Sequence, residues 1–282
     1  MAKNYEHTME YSAEWKKKKG LLDFHMTNDY LFRALLQKDE KTLKALVGTF
    51  LKVDPESIET EIMNPIALGE AIKDKEYHLD VKVLVDNETK VNLEMQVIRH
   101  EGWRERTLVY ACREFDDLNK GDDYREVLGV WQISICCFDL FEEEPEFFSD
   151  FMLVNTGKPH QVYTDKFRIS NMNLNRVSLA TEEDIACGLT EWAKLFKAQS
   201  WEELKMLAKD NTVLEQAVSS VSQLTEDKRI RDEIWKREDN ERIERTHKRA
   251  YEEALAKIKE QEAALKEKDA LIASLRAQLD IQ

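Results

Sequence analysis

The 282 residues are 42% hydrophobic and 35% charged, with a net charge of −14. That is enough apolar material for a sizeable core, and its overall field repels nucleic acid everywhere except at local basic patches. Cys112, Cys136, Cys137 and Cys187 have neither zinc-site nor disulfide spacing, and no run of about 18 apolar residues or N-terminal apolar leader appears, so the expectation is a soluble cytoplasmic protein.

Taken in order, "WKKKKG" (residues 15–20) is a small basic run with one aromatic. It could touch a phosphate backbone, although solvated lysines are the plainer reading. "TNDYLFRALLQ" (27–37) opens on a capping residue and puts Tyr30, Leu31, Ala34 and Leu35 on one helical stripe. "EKTLKALVGTFL" continues as a second helix, and "SIETEIMNPIAL" is strand-like up to Pro65. "LDVKVLVDNETKVNLEMQV" (79–97) alternates as two strands around a polar turn. "GWRERTLVYACREFDDLNKG" has helical spacing and is expected to be capped by Gly121. "VLGVWQISICCFDLF" is nearly continuous in apolar residues, as in a strand buried on both faces. Further strands follow in "FMLVN" and "HQVYTDKFRISNMNL", and helices after about residue 180. The order predicts an α/β or α+β domain with a mixed central sheet flanked by helices.

The tail from about residue 226 has no Gly or Pro and is almost neutral: from Thr225 it carries 14 Lys/Arg and 15 Asp/Glu. Ala254, Ile258, Gln261, Leu265, Lys268, Ile272, Leu275 and Leu279 trace a period of seven with Glu/Lys-rich flanks. That pattern suggests a coiled coil and a homo-oligomer, the alternative being a solvated charged helix.

The central hairpin raises a chemical question. Alternation puts Leu79, Val81, Val83 and Val85 on one face of its first strand and Asp80 and Lys82 on the other. In the second strand Val91, Leu93, Met95 and Val97 oppose Asn92, Glu94 and Gln96. For both polar rows to share a side, cross-strand partners must have residue numbers of even sum. A three-residue loop at 87–89 would satisfy this. A one-sided sheet with its polar face in water explains such a pattern unless the sheet is covered on both faces. Leu84 in the polar row and the doubly apolar strand from 127 to 137 point to a covered sheet. Carboxylates buried there need a cation or a donor, and two acids on adjacent strands suit a hard divalent ion such as Mg²⁺ or Mn²⁺.

Asp80 followed by Glu94-Met95-Gln96 on the next strand resembles the signature of the PD-(D/E)XK nucleases. It is most similar to the recombination-promoting nuclease / putative transposase (Rpn) branch, in which glutamine commonly replaces the lysine. "NDYLFRALL" and "RERTLVYACREF" support the likeness, which covers roughly residues 24–140. The resemblance implies a restriction-endonuclease-like fold, with a nuclease-like core over 1–180, a helical subdomain over 181–225 and the charged helix or coiled coil over 226–282. Asp80 and Glu94 match the metal-binding carboxylates, and Gln96 stands in the place of the lysine. Asp29 matches an acid often supplied by the first helix, though an acid in a first helical turn is equally explained by the macrodipole. Arg106 and Tyr110 lie one turn apart on the following helix, where they could contact phosphate or, for Tyr110, pack in the core; Arg104 and Arg113 are close by. The chain departs from the pattern at Leu79, where a proline is usual, and at Gln96. Lys82 is a candidate for the missing positive charge, with an exposed lysine the commoner alternative.

His7, His25, His78, His100, His160 and His247 form no ligand pair, and neither a phosphate-binding glycine loop nor a nucleophile elbow is present. The implied activity is Mg²⁺- or Mn²⁺-dependent DNA endonuclease cleavage linked to recombination, mobile elements or defence. The alternative is a catalytically weak or inactive nuclease-like scaffold acting as an oligomeric interaction module.

Overall fold

A computed structural model describes residues 13–68 and 80–279; His7, His78 and Leu79, singled out above, lie outside them. The chain divides into one compact unit up to Glu238 and a second from Asp239.

The first unit is built on a six-stranded sheet of order β1-β2-β3-β4-β6-β5, comprising β1 (Thr60–Ile62), β2 (Val81–Val85), β3 (Thr89–Gln96), β4 (Gly129–Cys136), β5 (Phe148–Asn155) and β6 (Lys158–Asn173). β1, β2 and β3 form an antiparallel meander, and β5 and β6 pair as a second hairpin. β4 is parallel to both β3 and β6. Parallel neighbours need a crossover, and helix α3 (Trp103–Phe115) supplies the one between β3 and β4. The mixed sheet, its flanking helices and the long C-terminal helix make a restriction-endonuclease-like α/β fold, as expected.

One face of the sheet carries Val81, Val83, Val91, Leu93, Met95, Ile133 and Ile135 into the main core. Helices α1 (Asp29–Lys38), α2 (Glu40–Leu51) and α7 (Thr212–Glu226) contribute Tyr30, Leu31, Leu35, Leu46 and Val218 to it. The other face meets α3, where the apolar contribution is small: Ala111, Val130 and Phe167, with Phe115 and Ile169 beside them. Every residue of β4 is buried, which agrees with the apolar run that marked it. Smaller helices α4 (Glu182–Ala186), α5 (Leu189–Lys197) and α6 (Trp201–Ala208) precede α7, and α8 spans Lys228–Leu279. No described helix is long and apolar enough to cross a membrane.

Three local expectations shift. Val85 pairs with Thr89, so the hairpin loop is residues 86–88, one position before the expected 87–89. The even sum survives, because Lys82 faces Asn92. Asp86 and Asn87 both take positive φ (51° and 57°), a conformation that Asp and Asn tolerate better than Glu or Thr. Helix α3 ends at Phe115, with Asp116 as its C-cap, rather than at Gly121. Two acids there meet the negative end of the helix dipole, and Asp117 is drawn out to Lys90. The cap of α1 is Asn28, whose side-chain carbonyl accepts from the Leu31 N–H at 3.0 Å.

The second unit is the continuation of α8, with Tyr251, Leu255, Ile258, Leu265, Ile272 and Leu275 exposed along it.

Helices α2 and α7 are joined through Asp39, the buried N-cap of α2. Its carboxylate accepts from Thr42 N–H at 3.1 Å, Thr42 Oγ1 at 2.9 Å, Gln216 Nε2 at 2.6 Å and Ser220 Oγ at 2.5 Å. Asp39→Ala strands these donors, and urea denaturation is expected to show a loss of about 2–3 kcal/mol. A loss below about 0.5 kcal/mol, the size of an ordinary surface change, would mean the bonds do not tie the helices together.

Candidate metal centre

The polar row of the hairpin faces α3. Glu94 is 7% exposed on β3, and its Oε1 accepts from Arg106 Nη2 at 3.0 Å. Its other oxygen, Oε2, is buried with no hydrogen-bond partner. Burial pushes the Glu94 carboxyl up to about 7, against the pull of Arg106 and with the help of the negative charge of Asp80. The charge of Asp80 therefore reaches Glu94.

Asp80 stands one residue before β2, and its backbone is clamped. Arg33, fully buried on α1, donates through Nη1 to the Asp80 carbonyl and through Nη2 to that of Asn64. Asn64 Nδ2 donates to the Asp80 carbonyl at 3.1 Å, and Asn64 Oδ1 accepts from Lys82 N–H at 2.9 Å. Burial lowers the affinity of Arg33 for its proton, and the Asp80 charge partly offsets that. A buried guanidinium with both ends on carbonyls fixes where β2 begins, and with it where Asp80 projects.

The remaining candidates divide. Gln96 donates through Nε2 to the Ile98 carbonyl at 2.8 Å. Lys82 is held by Glu114 of α3 at 2.5 Å. The Arg106 guanidinium lies 5.2 Å from the Trp103 ring centre and 5.3 Å from that of Tyr110, so it is flanked by aromatic neighbours as well as paired with Glu94. Arg104 points elsewhere, over the Phe141 ring at 5.1 Å. Asp29 accepts from the Tyr30 N–H at 2.7 Å, and burial raises its carboxyl against the charge of Arg237. The charged groups that act on Glu94 are Arg106 and Asp80, with Asp29 not among them.

A scan against protein-family models matches residues 26–254 to the PD-(D/E)XK nuclease family transposases. The chain belongs to that family. No curated protein and no solved structure matches it.

In this PD-(D/E)XK chain the donor set is compatible with a hard divalent cation. The charge of one carboxylate acts on the other, which has an orphaned buried oxygen. Among the described residues no group of three or more His, Cys, Asp or Glu side chains could hold a metal. Magnesium is commonly bound by one or two carboxylates with water and substrate phosphates completing its shell, so two suffice.

The hairpin's alternation does not reach several other residues around the site. Arg33 is the lone charge inside "YLFRALL", and a single charge in so apolar a stretch is the sign of a buried one. Gln132 and Ser134 interrupt the apolar run of β4 at alternate positions, the same sign that marks the hairpin. Gln132 Oε1 accepts from Asn92 Nδ2 at 2.8 Å, and Ser134 lies in register with Glu94.

In the metal-free protein Glu94 keeps its proton up to about pH 7, whereas the unfolded chain releases it near 4.5. Folding takes up a proton between those values, so stability is expected to fall as pH rises through that window, by on the order of 3 kcal/mol. Glu94→Gln, which keeps an oxygen for Arg106, should flatten this part of the profile when melting is followed in EDTA. An unchanged slope would mean that Glu94 is ionised throughout.

Proposed function

We propose that the chain is a divalent-metal-dependent DNA endonuclease. The observation that carries this reading is Glu94: a desolvated carboxylate with one oxygen unpartnered, within the electrostatic reach of a second acid, Asp80. A structural carboxylate in that position would be expected to have donors on both oxygens. Asp80 and Glu94 would hold Mg²⁺ or Mn²⁺. The ion would supply Lewis acidity for phosphodiester hydrolysis, activating water and offsetting phosphoryl charge.

The surrounding side chains have roles that follow from their contacts. Gln96 has its amide nitrogen engaged by Ile98, so its oxygen is the group that would accept from an attacking water and orient it. Arg106 has a buried Nε with no partner beside the Nη2 that meets Glu94. With a cation held by Asp80 and Glu94, the Arg106 guanidinium would be available to a phosphate, with the Tyr110 ring beside it. Arg104 would add a further phosphate contact. Lys82 is the one lysine in the row close to Asp80, and its pairing with Glu114 leaves it to support the charge balance at the site rather than replace the family lysine outright. Asp29, paired electrostatically with Arg237, would act by holding the first helix in place. Recombination, mobile-element movement or defence would be the setting.

A second reading is favoured by the uncharged Gln96 and the neutralised Lys82: a nuclease-like scaffold with little catalysis. Plasmid DNA incubated with the purified chain and Mg²⁺ or Mn²⁺ separates the two. Cleavage by the wild type that falls at least about a hundredfold in Asp80→Ala supports the enzyme. Equal cleavage by both proteins would come from a contaminant, and no cleavage with either metal leaves the scaffold.

Self-association is the second part of the proposal. Leu255, Ile258, Leu265, Ile272 and Leu275 are exposed along α8, four of them at positions of the seven-residue period, and pairing two copies would bury them. Deleting residues 254–279 is expected to halve the mass measured by light scattering; an unchanged mass would rule the coiled coil out.

A further inference from the structure

The polar row that contains Glu94 continues across the sheet. Register sets Ser134 of β4 beside Glu94, and Asn171 of β6 beside Ser134, at about 5 Å per strand. Both side chains are buried, at 2% and 4% exposure, and Ser134 Oγ and Asn171 Oδ1 have no hydrogen-bond partner. Both line a cavity of about 190 Å³, walled by Trp103 and Thr107 of α3, Phe141 and Phe151. Arg104 lies at the same cavity, its guanidinium 5.1 Å from the Phe141 ring centre. Leu108, Phe141 and Phe151 are exposed, so the apolar surface reaches the solvent.

We propose that this cavity receives one unstacked base of the nucleic-acid strand whose phosphodiester lies at the Asp80–Glu94 pair; the assignment rests on the nuclease reading above. An apolar cavity of about 150 Å³ takes up a benzene ring, so this one is sized for a single flat heteroaromatic ring. Aromatic walls provide stacking faces that every base can use. An amide carbonyl and a hydroxyl at the buried end meet the N–H groups on a base edge, whereas an apolar side chain in the same place would leave both unpartnered. Arg104 at the aromatic wall is placed for the backbone of the same strand. The location adds to the chemistry: Ser134 is one strand from Glu94 and Asn171 two, so a base in the cavity belongs to a nucleotide next to the reacting phosphate. The substrate class is therefore a strand with a base free to leave its stack: single-stranded, mismatched or flexible duplex DNA.

Binding of the full-length chain to labelled oligothymidylate and to an abasic oligomer with the same number of phosphates, compared by fluorescence anisotropy in EDTA, tests this. Oligothymidylate is expected to bind about five- to a hundredfold more tightly, the range of one base stacked on aromatic side chains. Phe141→Ala, a change at a surface-exposed ring, and Asn171→Ala each bring the ratio toward one. Equal binding of the two oligomers by the wild type would overturn the proposal, as would a preference that survives both Phe141→Ala and Asn171→Ala. Cleavage plays no part in the readout, so a chain that selects bases yet cuts nothing with Mg²⁺ or Mn²⁺ refutes the nuclease reading and leaves the base cavity standing.

Discussion

Where a sheet is covered on both faces, as at β3 and β4, every ionisable group it carries must be accounted for, and Glu94 is the one on which this site turns. Water cannot solvate it, because α3 closes over it, and one arginine cannot satisfy it, because only one of its oxygens meets Arg106. The helix that creates the problem also supplies the partial answer. Arg106 reaches Glu94 and, two turns further on, Glu114 reaches Lys82. The α3 face of the sheet is therefore an electrostatic layer, and the hydrophobic contribution to stability comes chiefly from the opposite face, where α1, α2 and α7 pack.

The same constraint explains why Asp80 is held by its backbone. A carboxylate near a second carboxylate tends to move away, and Asp80 sits at the start of a strand, where the chain has most freedom. Arg33 and Asn64 remove that freedom by bonding the Asp80 carbonyl, leaving its side chain uncommitted to them. Arg33 comes from the apolar side of the sheet, so the main core and the polar layer are coupled at this point. A change in how α1 packs would move the first acid of the pair.

Much of this is legible in the sequence because side-chain alternation is a strong signal. The two polar rows, their common face and the even pairing sum follow from the period of two, and Lys82 opposite Asn92 satisfies it. The loop falls one residue earlier than expected because parity constrains the sum of partners but not its value; the positive φ of Asp86 and Asn87 decides it. Helix α3 stops short of Gly121 although a glycine is a stronger local stop than an acid, because the Asp117–Lys90 contact and the helix dipole act first. Asp80 and Glu94 can be paired on paper since they occupy adjacent strand segments. Arg33 and Asn64 cannot be linked to them that way, because their contacts cross 47 and 16 residues of chain with no periodic relation to the hairpin.

The polar layer also bears on how so acidic a chain could approach DNA. Lys82, Lys90 and Arg106 each already face an acid, so none is a standing cationic patch. Attraction to phosphate would then have to be conditional. A divalent cation at Asp80 and Glu94 would add two positive charges where the layer is most negative and would compete with Arg106 for Glu94. The guanidinium freed by that exchange, already flanked by Trp103 and Tyr110, would present its planar fork to two oxygens of a phosphate. On this view the ion and the phosphate would favour each other's binding through a single arginine.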